Sequence, residues 1–238
     1  MSQIQIKHQS PLNCVVLTVA VVLIISCFKT TVFGEQKTGT ITGYVRVEMI
    51  PDTVMLEVMT DQEVCGKEIQ DFTTLVDPIY GVANAVISVR GLVWNEDPPE
   101  AVINNKGCHF VPRVQVAKPR SQVEVQSDDQ ILHSTHAYDD RQRTLFNIAI
   151  PFPGLTVKRL LRRPGVVRVE CDSHSWMRGW IYVTNDISTV SGSDGRFELS
   201  GILPGTYELS IWHEQYLGMP AKVTVPTGGV TEVIFTLQ

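Results

Sequence analysis

The sequence predicts an all-β protein, and three observations predict it. Short runs rich in β-branched and aromatic residues recur from residue 40 to residue 237, with Gly, Pro, Asp and Asn between them. No long apolar period of 3.6 residues appears, and Lys158 to Arg163 has room for one helical turn before Pro164-Gly165 breaks it. Hydrophobic residues make up 43% and charged residues 19%, a composition that supports packed cores and excludes wholesale disorder. The 238 residues suffice for one large core or two modest ones.

The first segment differs from the rest. Lys7 and His8 precede an apolar run over 14–28, interrupted only by Thr18 and Ser26, and Val32-Phe33-Gly34 follows with small or β-branched residues. The run is short for a membrane span, so a signal peptide over 1–34 is expected, and with it export to the periplasm or cell envelope. Leu23-Ile24-Ile25-Ser26-Cys27 also reads as a lipobox, so a lipid anchor through Cys27 stays open. Residues 1–34 hold two lysines and no acid, which leaves 18 basic against 25 acidic side chains, a net charge of −7. Such a balance argues against a nucleic-acid partner and suits a protein that meets a basic one.

Strands are expected at 40–47, 54–58, 85–89, 122–126, 166–169, 179–184, 197–199, 206–212, 221–225 and 230–237. Residues 127–165 are the least regular, with a charged loop at Asp139-Asp140-Arg141-Gln142-Arg143. A boundary is expected near 185–195, where Asn185-Asp186 and Ser191-Gly192-Ser193-Asp194-Gly195 are turn-rich. The expected division is 1–34, then 35–185, then a β-tail over 186–238. That tail carries Asp194-Gly195-Arg196-Phe197-Glu198-Leu199 and Pro204-Gly205-Thr206-Tyr207-Glu208-Leu209, and it resembles the transthyretin-like carboxypeptidase-regulatory domains. It is short for an independent sandwich, so it either borrows the strand at 39–47 or packs on the preceding domain.

Chemistry concentrates in Cys171-Asp172-Ser173-His174-Ser175-Trp176-Met177, between the expected strands at 166–169 and 179–184. A turn between antiparallel strands can aim a thiol, an imidazole and a thioether at one centre. Thiolate, imidazole and weakly held thioether together select a soft or borderline metal, copper above all. A second imidazole has to come from elsewhere, and Leu132-His133-Ser134-Thr135-His136 offers it. Cys65 and Cys108 lie outside this loop; an exported chain with three cysteines beyond residue 34 is then expected to pair them and keep the Cys171 thiol for metal. Mass spectrometry of the non-reduced protein tests that pairing.

C-x-x-H-x-x-M followed by Arg-Gly and an apolar strand resembles the amicyanin-type cupredoxins. The resemblance covers roughly residues 40–185 and implies a Greek-key β-sandwich with one type 1 copper ion. His133, 38 residues before Cys171, matches the first ligand position, and Cys171, His174 and Met177 match the other three. His136 keeps an alternative ligand role. Ser134 stands where the family often has Asn, and Ser173 and Ser175 replace loop prolines, which implies a looser ligand loop. In the family the second loop histidine emerges through an apolar patch that serves as the electron port; Trp176 and Phe152 are the rim residues this implies. His109 and His213 are expected to pack or hydrogen-bond within loops.

Three functions follow. A one-electron carrier between protein redox partners is the reading the ligand set supports, with no catalytic residue. A copper enzyme is opposed by histidine number, since six are present and one lies in the leader, too few for an added trinuclear centre. A binding or structural envelope protein with a vestigial copper site is the alternative. The pairing of the two modules resembles proteins called methylamine-utilisation-like, which implies a donor without identifying it.

Overall fold

The computed structural model describes residues 37–238, so the expected leader and Cys27 lie outside the described residues. In chain order its elements are β1 (Gly39–Val47), β2 (Met55–Glu57), α1 (Gln62–Cys65), β3 (Glu68–Gln70), β4 (Val86–Val93), β5 (Ala101–Lys106), β6 (His109–Val111), β7 (Val114–Ala117), β8 (Gln122–Ser127), β9 (His133–Tyr138), β10 (Thr144–Ile150), β11 (Val157–Leu160), β12 (Gly165–Glu170), β13 (Arg178–Val183), β14 (Asp186–Val190), β15 (Arg196–Ile202), β16 (Gly205–Trp212), β17 (Ala221–Val225) and β18 (Val230–Leu237). The all-β expectation is borne out. Among the described residues no helix is long and apolar enough to cross a membrane.

Two β-sandwiches result. Sheets β10-β9-β12-β13-β7 and β11-β8-β5-β6 share a core that includes Ile103, Phe110, Val125, Ile148, Val169 and Ile181. Sheets β15-β1-β18 and β14-β4-β16-β17 share another, with Ile41, Val45, Ile87, Leu199, Leu209 and Phe235. Buried residues alternate with half-buried or exposed ones along β1, β8, β9 and the first part of β15, the period of two that a half-buried strand requires.

The sandwiches are nested. β4 and β14 are antiparallel neighbours, Val86 against Val190, and β5–β13 lie between them in sequence. The first sandwich is therefore an insertion between two paired strands of the second. β1 closes the second from the far end of the chain, running parallel to β18 from Thr40↔Val230 to Val47↔Leu237. The expected division at 35–185 and 186–238 differs from this: the strands at 40–47 and 85–89 serve the second core, and the first sandwich opens only at β5. The tail does borrow the early strand. Gly195 makes one crossing possible, because its φ is +77° and an added Cβ would sit 2.4 Å from the Val45 carbonyl oxygen.

The irregular stretch 127–165 also differs from expectation, since it holds β9, β10 and β11, with residues 139–143 as the turn of a hairpin. His133, Thr135 and Ala137 are the buried residues of β9, so its inward face lacks the large apolar pattern that betrays a strand.

A flap over residues 54–71 completes the fold. β2 and β3 pair as a hairpin around α1, and Val58 and Ile69 are buried with Cys108. Cys65 is bonded to Cys108 across 43 residues. Replacing both by alanine is expected to lower stability by about 4 kcal/mol from loop-closure entropy, checked by urea denaturation.

His213 joins β16 to the following turn. Its buried Nδ1 accepts the backbone N–H groups of Gln215 and Tyr216. Burial holds its pKa below the ordinary 6.5, against the attraction of Glu214, and His133 shifts in the same direction. The folded rings are thus neutral while the unfolded ones take a proton below about pH 6.5. Stability is present above that pH and lost as pH falls. Urea midpoints are expected to drop between pH 7.5 and pH 5, and less steeply in His213→Gln.

Candidate metal centre

Strand alternation aims the first two donors. Val167 and Val169 of β12 face the core, and Cys171 continues their period just past the strand end. His133 opens β9, which pairs with both β10 and β12, and is completely buried. Two successive tight turns then fold the loop back: the His174 N–H donates to the Cys171 carbonyl at 3.3 Å, and the Met177 N–H to the His174 carbonyl at 2.9 Å.

The outcome is a convergent donor set. Cys171 Sγ lies 3.5 Å from His174 Nδ1 and 3.9 Å from His133 Nδ1, and the two Nδ1 atoms are 3.1 Å apart. All three side chains are buried. Met177 is buried in the same core as Cys171, at the end of the same loop. Cys108, Asp129 and His133 also cluster, but Cys108 is committed to its disulfide.

The outer nitrogens explain the orientation. His133 Nε2 lies 2.9 Å from Asp129 Oδ2, and Asp129 in turn accepts the N–H groups of Gly107 and Cys108 at 2.7 and 2.9 Å. His174 Nε2 lies 2.9 Å from Asp61 Oδ2. A carboxylate on Nε2 fixes the tautomer with that nitrogen protonated and leaves Nδ1 bare. Burial pushes the His133 pKa down, the Asp129 hydrogen bond opposing it, so the ring is neutral near pH 7 as a ligand must be. Two bare lone pairs 3.1 Å apart, with a thiol beside them, repel one another unless a cation sits between them. The residues present therefore fit a single soft-to-borderline metal ion.

Ser134 braces this loop instead of loosening it. Its backbone N–H donates to Cys171 Sγ at 3.3 Å, and its Oγ accepts the Asp172 N–H at 2.8 Å. His136 is not in the donor set; it bonds Asp172 and Thr144 at 3.0 and 2.9 Å on the other face of β9. His109 Nδ1 bonds the Gly107 carbonyl within its own turn.

The expected electron port is corrected. His174 is completely buried and does not emerge through the surface, because the flap and Asp61 cover it. Trp176 lies beneath that cover, its ring centroid 5.1 Å from His174 and its indole N–H donating to the Cys108 carbonyl. Phe152 is exposed, two residues beyond Ile150, the residue that pairs with His133. The two carboxylates were missed from sequence. Asp129 stands only four residues before His133, a local signal that an acid could partner that ring; Asp61, 113 positions from His174, left no such signal.

No family model matches the chain, and no curated protein matches it. Several solved structures do. A purple cupredoxin from Nitrosopumilus maritimus aligns at 19% identity over 36% of this chain and 100% of its own, with a TM-score of 0.32. Amicyanin from Paracoccus versutus aligns at 13% identity over 41% of this chain and 97% of its own, with a TM-score of 0.32. A copper-containing nitrite reductase from Thermus scotoductus aligns at 19% identity over 37% of this chain, with a TM-score of 0.30, and the match spans 23% of that reductase. The structural neighbours of this all-β chain are thus cupredoxins, each similar to only a part of it.

Proposed function

We propose that this chain is an exported copper protein that carries single electrons between redox partners, with one copper ion held by His133, Cys171, His174 and Met177. One observation carries the reading: the buried Nδ1, Nδ1 and Sγ atoms meet within 3.9 Å while both Nε2 atoms are already engaged by carboxylates. Copper bound there supplies a one-electron couple, since thiolate, imidazole and thioether together tolerate both oxidation states.

The protein's own residues supply the rest. Asp129 and the Gly107 and Cys108 N–H groups fix the His133 ring, and the Ser134 N–H supports the thiolate. A framework whose donors are held before the electron arrives needs little rearrangement when it does. Complete burial of both imidazoles leaves no exposed ligand position for a substrate, which favours a carrier over a copper enzyme. The Cys65–Cys108 bond favours an oxidising compartment and so export. The net charge of −7 outside the leader suits a basic protein partner, and Phe152 remains the exposed ring at the ligand end.

Copper titration of the mature protein, followed by absorption and EPR, tests the reading. A tight, coloured one-to-one complex with a thiolate-to-copper charge-transfer band is the expected result. Absence of the band leaves the structural, envelope-associated reading in its place.

A further inference from the structure

The two carboxylates behind the imidazoles are not equivalent. Asp129 is built into the first sandwich and is further held by two backbone N–H groups. Asp61 belongs to the flap, which is separate from both sandwich cores. It stands immediately before α1, where an aspartate ordinarily caps the helix by accepting a backbone N–H. Here it makes no such bond, and its backbone is left-handed, with φ 55° and ψ 32°. A left-handed non-glycine residue costs energy unless its surroundings require it. What the conformation achieves is a contact across the fold: the Asp61 carboxylate reaches His174 Nε2 at 2.9 Å. The Asp61 side chain is 43% exposed, so this one group lies between a completely buried ring and water.

The flap is fastened around that contact. Four residues past Asp61, Cys65 is bonded to Cys108, whose own N–H donates to Asp129. The Thr60 hydroxyl reaches the Ser173 carbonyl at 3.4 Å, inside the ligand loop. Val58 and Ile69 are buried against Cys108, with Trp176 packed beside them. One covalent link thus joins the segment that orients His174 to the segment that orients His133.

Resting on the copper reading above, we infer that Asp61 is a positioning residue for the metal centre and that the flap at 54–71 seals His174 from outside ligands. Asp61 holds the ring with Nδ1 toward Cys171 and His133. By accepting the Nε2 hydrogen it makes the imidazole a stronger donor and places negative charge near the ion. Both effects favour Cu(II) over Cu(I), so the flap sets the reduction potential as well as access. Partners then exchange electrons through the covered edge, without touching the imidazole.

The test uses full-length mature protein loaded with copper, as unsubstituted chain, Asp61→Ala and Asp61→Asn, with circular dichroism to confirm folding. The unsubstituted protein is expected to keep its charge-transfer band when free imidazole is added. Asp61→Ala is expected to lose about tenfold in Cu(II) affinity relative to Cu(I), a rise of about 59 mV in the one-electron potential, and its band shifts with imidazole. Asp61→Asn still accepts the Nε2 hydrogen but carries no charge, so it stays closed to imidazole with a smaller rise in potential. A separate readout needs no copper: ¹⁵N NMR of the metal-free chain is expected to show the neutral His174 ring as the single Nε2–H tautomer, and as a mixture of the two tautomers in Asp61→Ala. A normal band with unchanged potential and imidazole response in Asp61→Ala overturns this inference alone. A missing band in the unsubstituted chain removes the copper reading and this inference together.

Discussion

Replacing Cys171 by serine is expected to erase the thiolate-to-copper band and to lower copper affinity by more than about a hundredfold, because loss of groups that only support ligands already costs 10–100-fold. In the proposed ligand set the thiolate is the one anionic donor, and with the thioether it is what selects copper over harder ions. Its loss leaves two neutral imidazoles and a thioether. The fold has little reason to follow. Cys171 sits just past β12 with Ser134 N–H directed at its sulfur from 3.3 Å, and a serine hydroxyl accepts that hydrogen bond as well. Copper titration paired with urea denaturation separates the two consequences: metal binding collapses while the unfolding midpoint stays close to that of the unsubstituted protein. A coloured complex that persists in Cys171→Ser shows that the cysteine is not a ligand, and the donor set has to be redrawn.

The loop of candidate ligands was legible in the sequence because its information is local. Cys171, His174 and Met177 fall within seven residues between two recognisable strands, and two tight turns are enough to gather them. His133 required a long-range pairing, β9 beside β12, that no expected strand foretold, and only its spacing of 38 residues before Cys171 in the cupredoxin resemblance pointed at it. Asp61 could not be found this way. Nothing about an aspartate before a four-residue helix distinguishes a cap from a hydrogen bond made 113 positions away. The nested architecture failed to show for the same reason. The pairing of β1 with β18 and of β4 with β14 leaves no local period, and a chain read in order assigns each strand to the nearest core. The covered histidine follows from both misses. A flap drawn from the stretch between two strands of the second sandwich covers His174 in the first, where the resemblance alone leaves that ring open.

Glu214→Ala is expected to cost about 3–5 kcal/mol, the typical loss when one partner of a buried ion pair is removed. The pair is bidentate: Arg113 Nε and Nη2 donate to Glu214 at 2.7 and 2.9 Å, and the side chains are only 9% and 2% exposed. Arg113 immediately precedes β7 of the inserted sandwich, whereas Glu214 follows β16 of the host, so the bridge crosses from one core to the other. Its guanidinium also donates to the Arg178 carbonyl, next to the ligand loop, and to the Thr73 hydroxyl beside the flap. Deleting the carboxylate strands a cation among these neutral acceptors, and a buried charge without its counterion is far costlier than the pair was worth. Removing both charges with well-matched apolar side chains is therefore expected to be much milder than either single change. A urea-denaturation cycle of Glu214→Ala, Arg113→Met and Arg113→Met with Glu214→Leu measures this. If the single variants lose less than about 1 kcal/mol, the value ordinary for exposed pairs, then water reaches the bridge and the two sandwiches are held together by their apolar contacts alone.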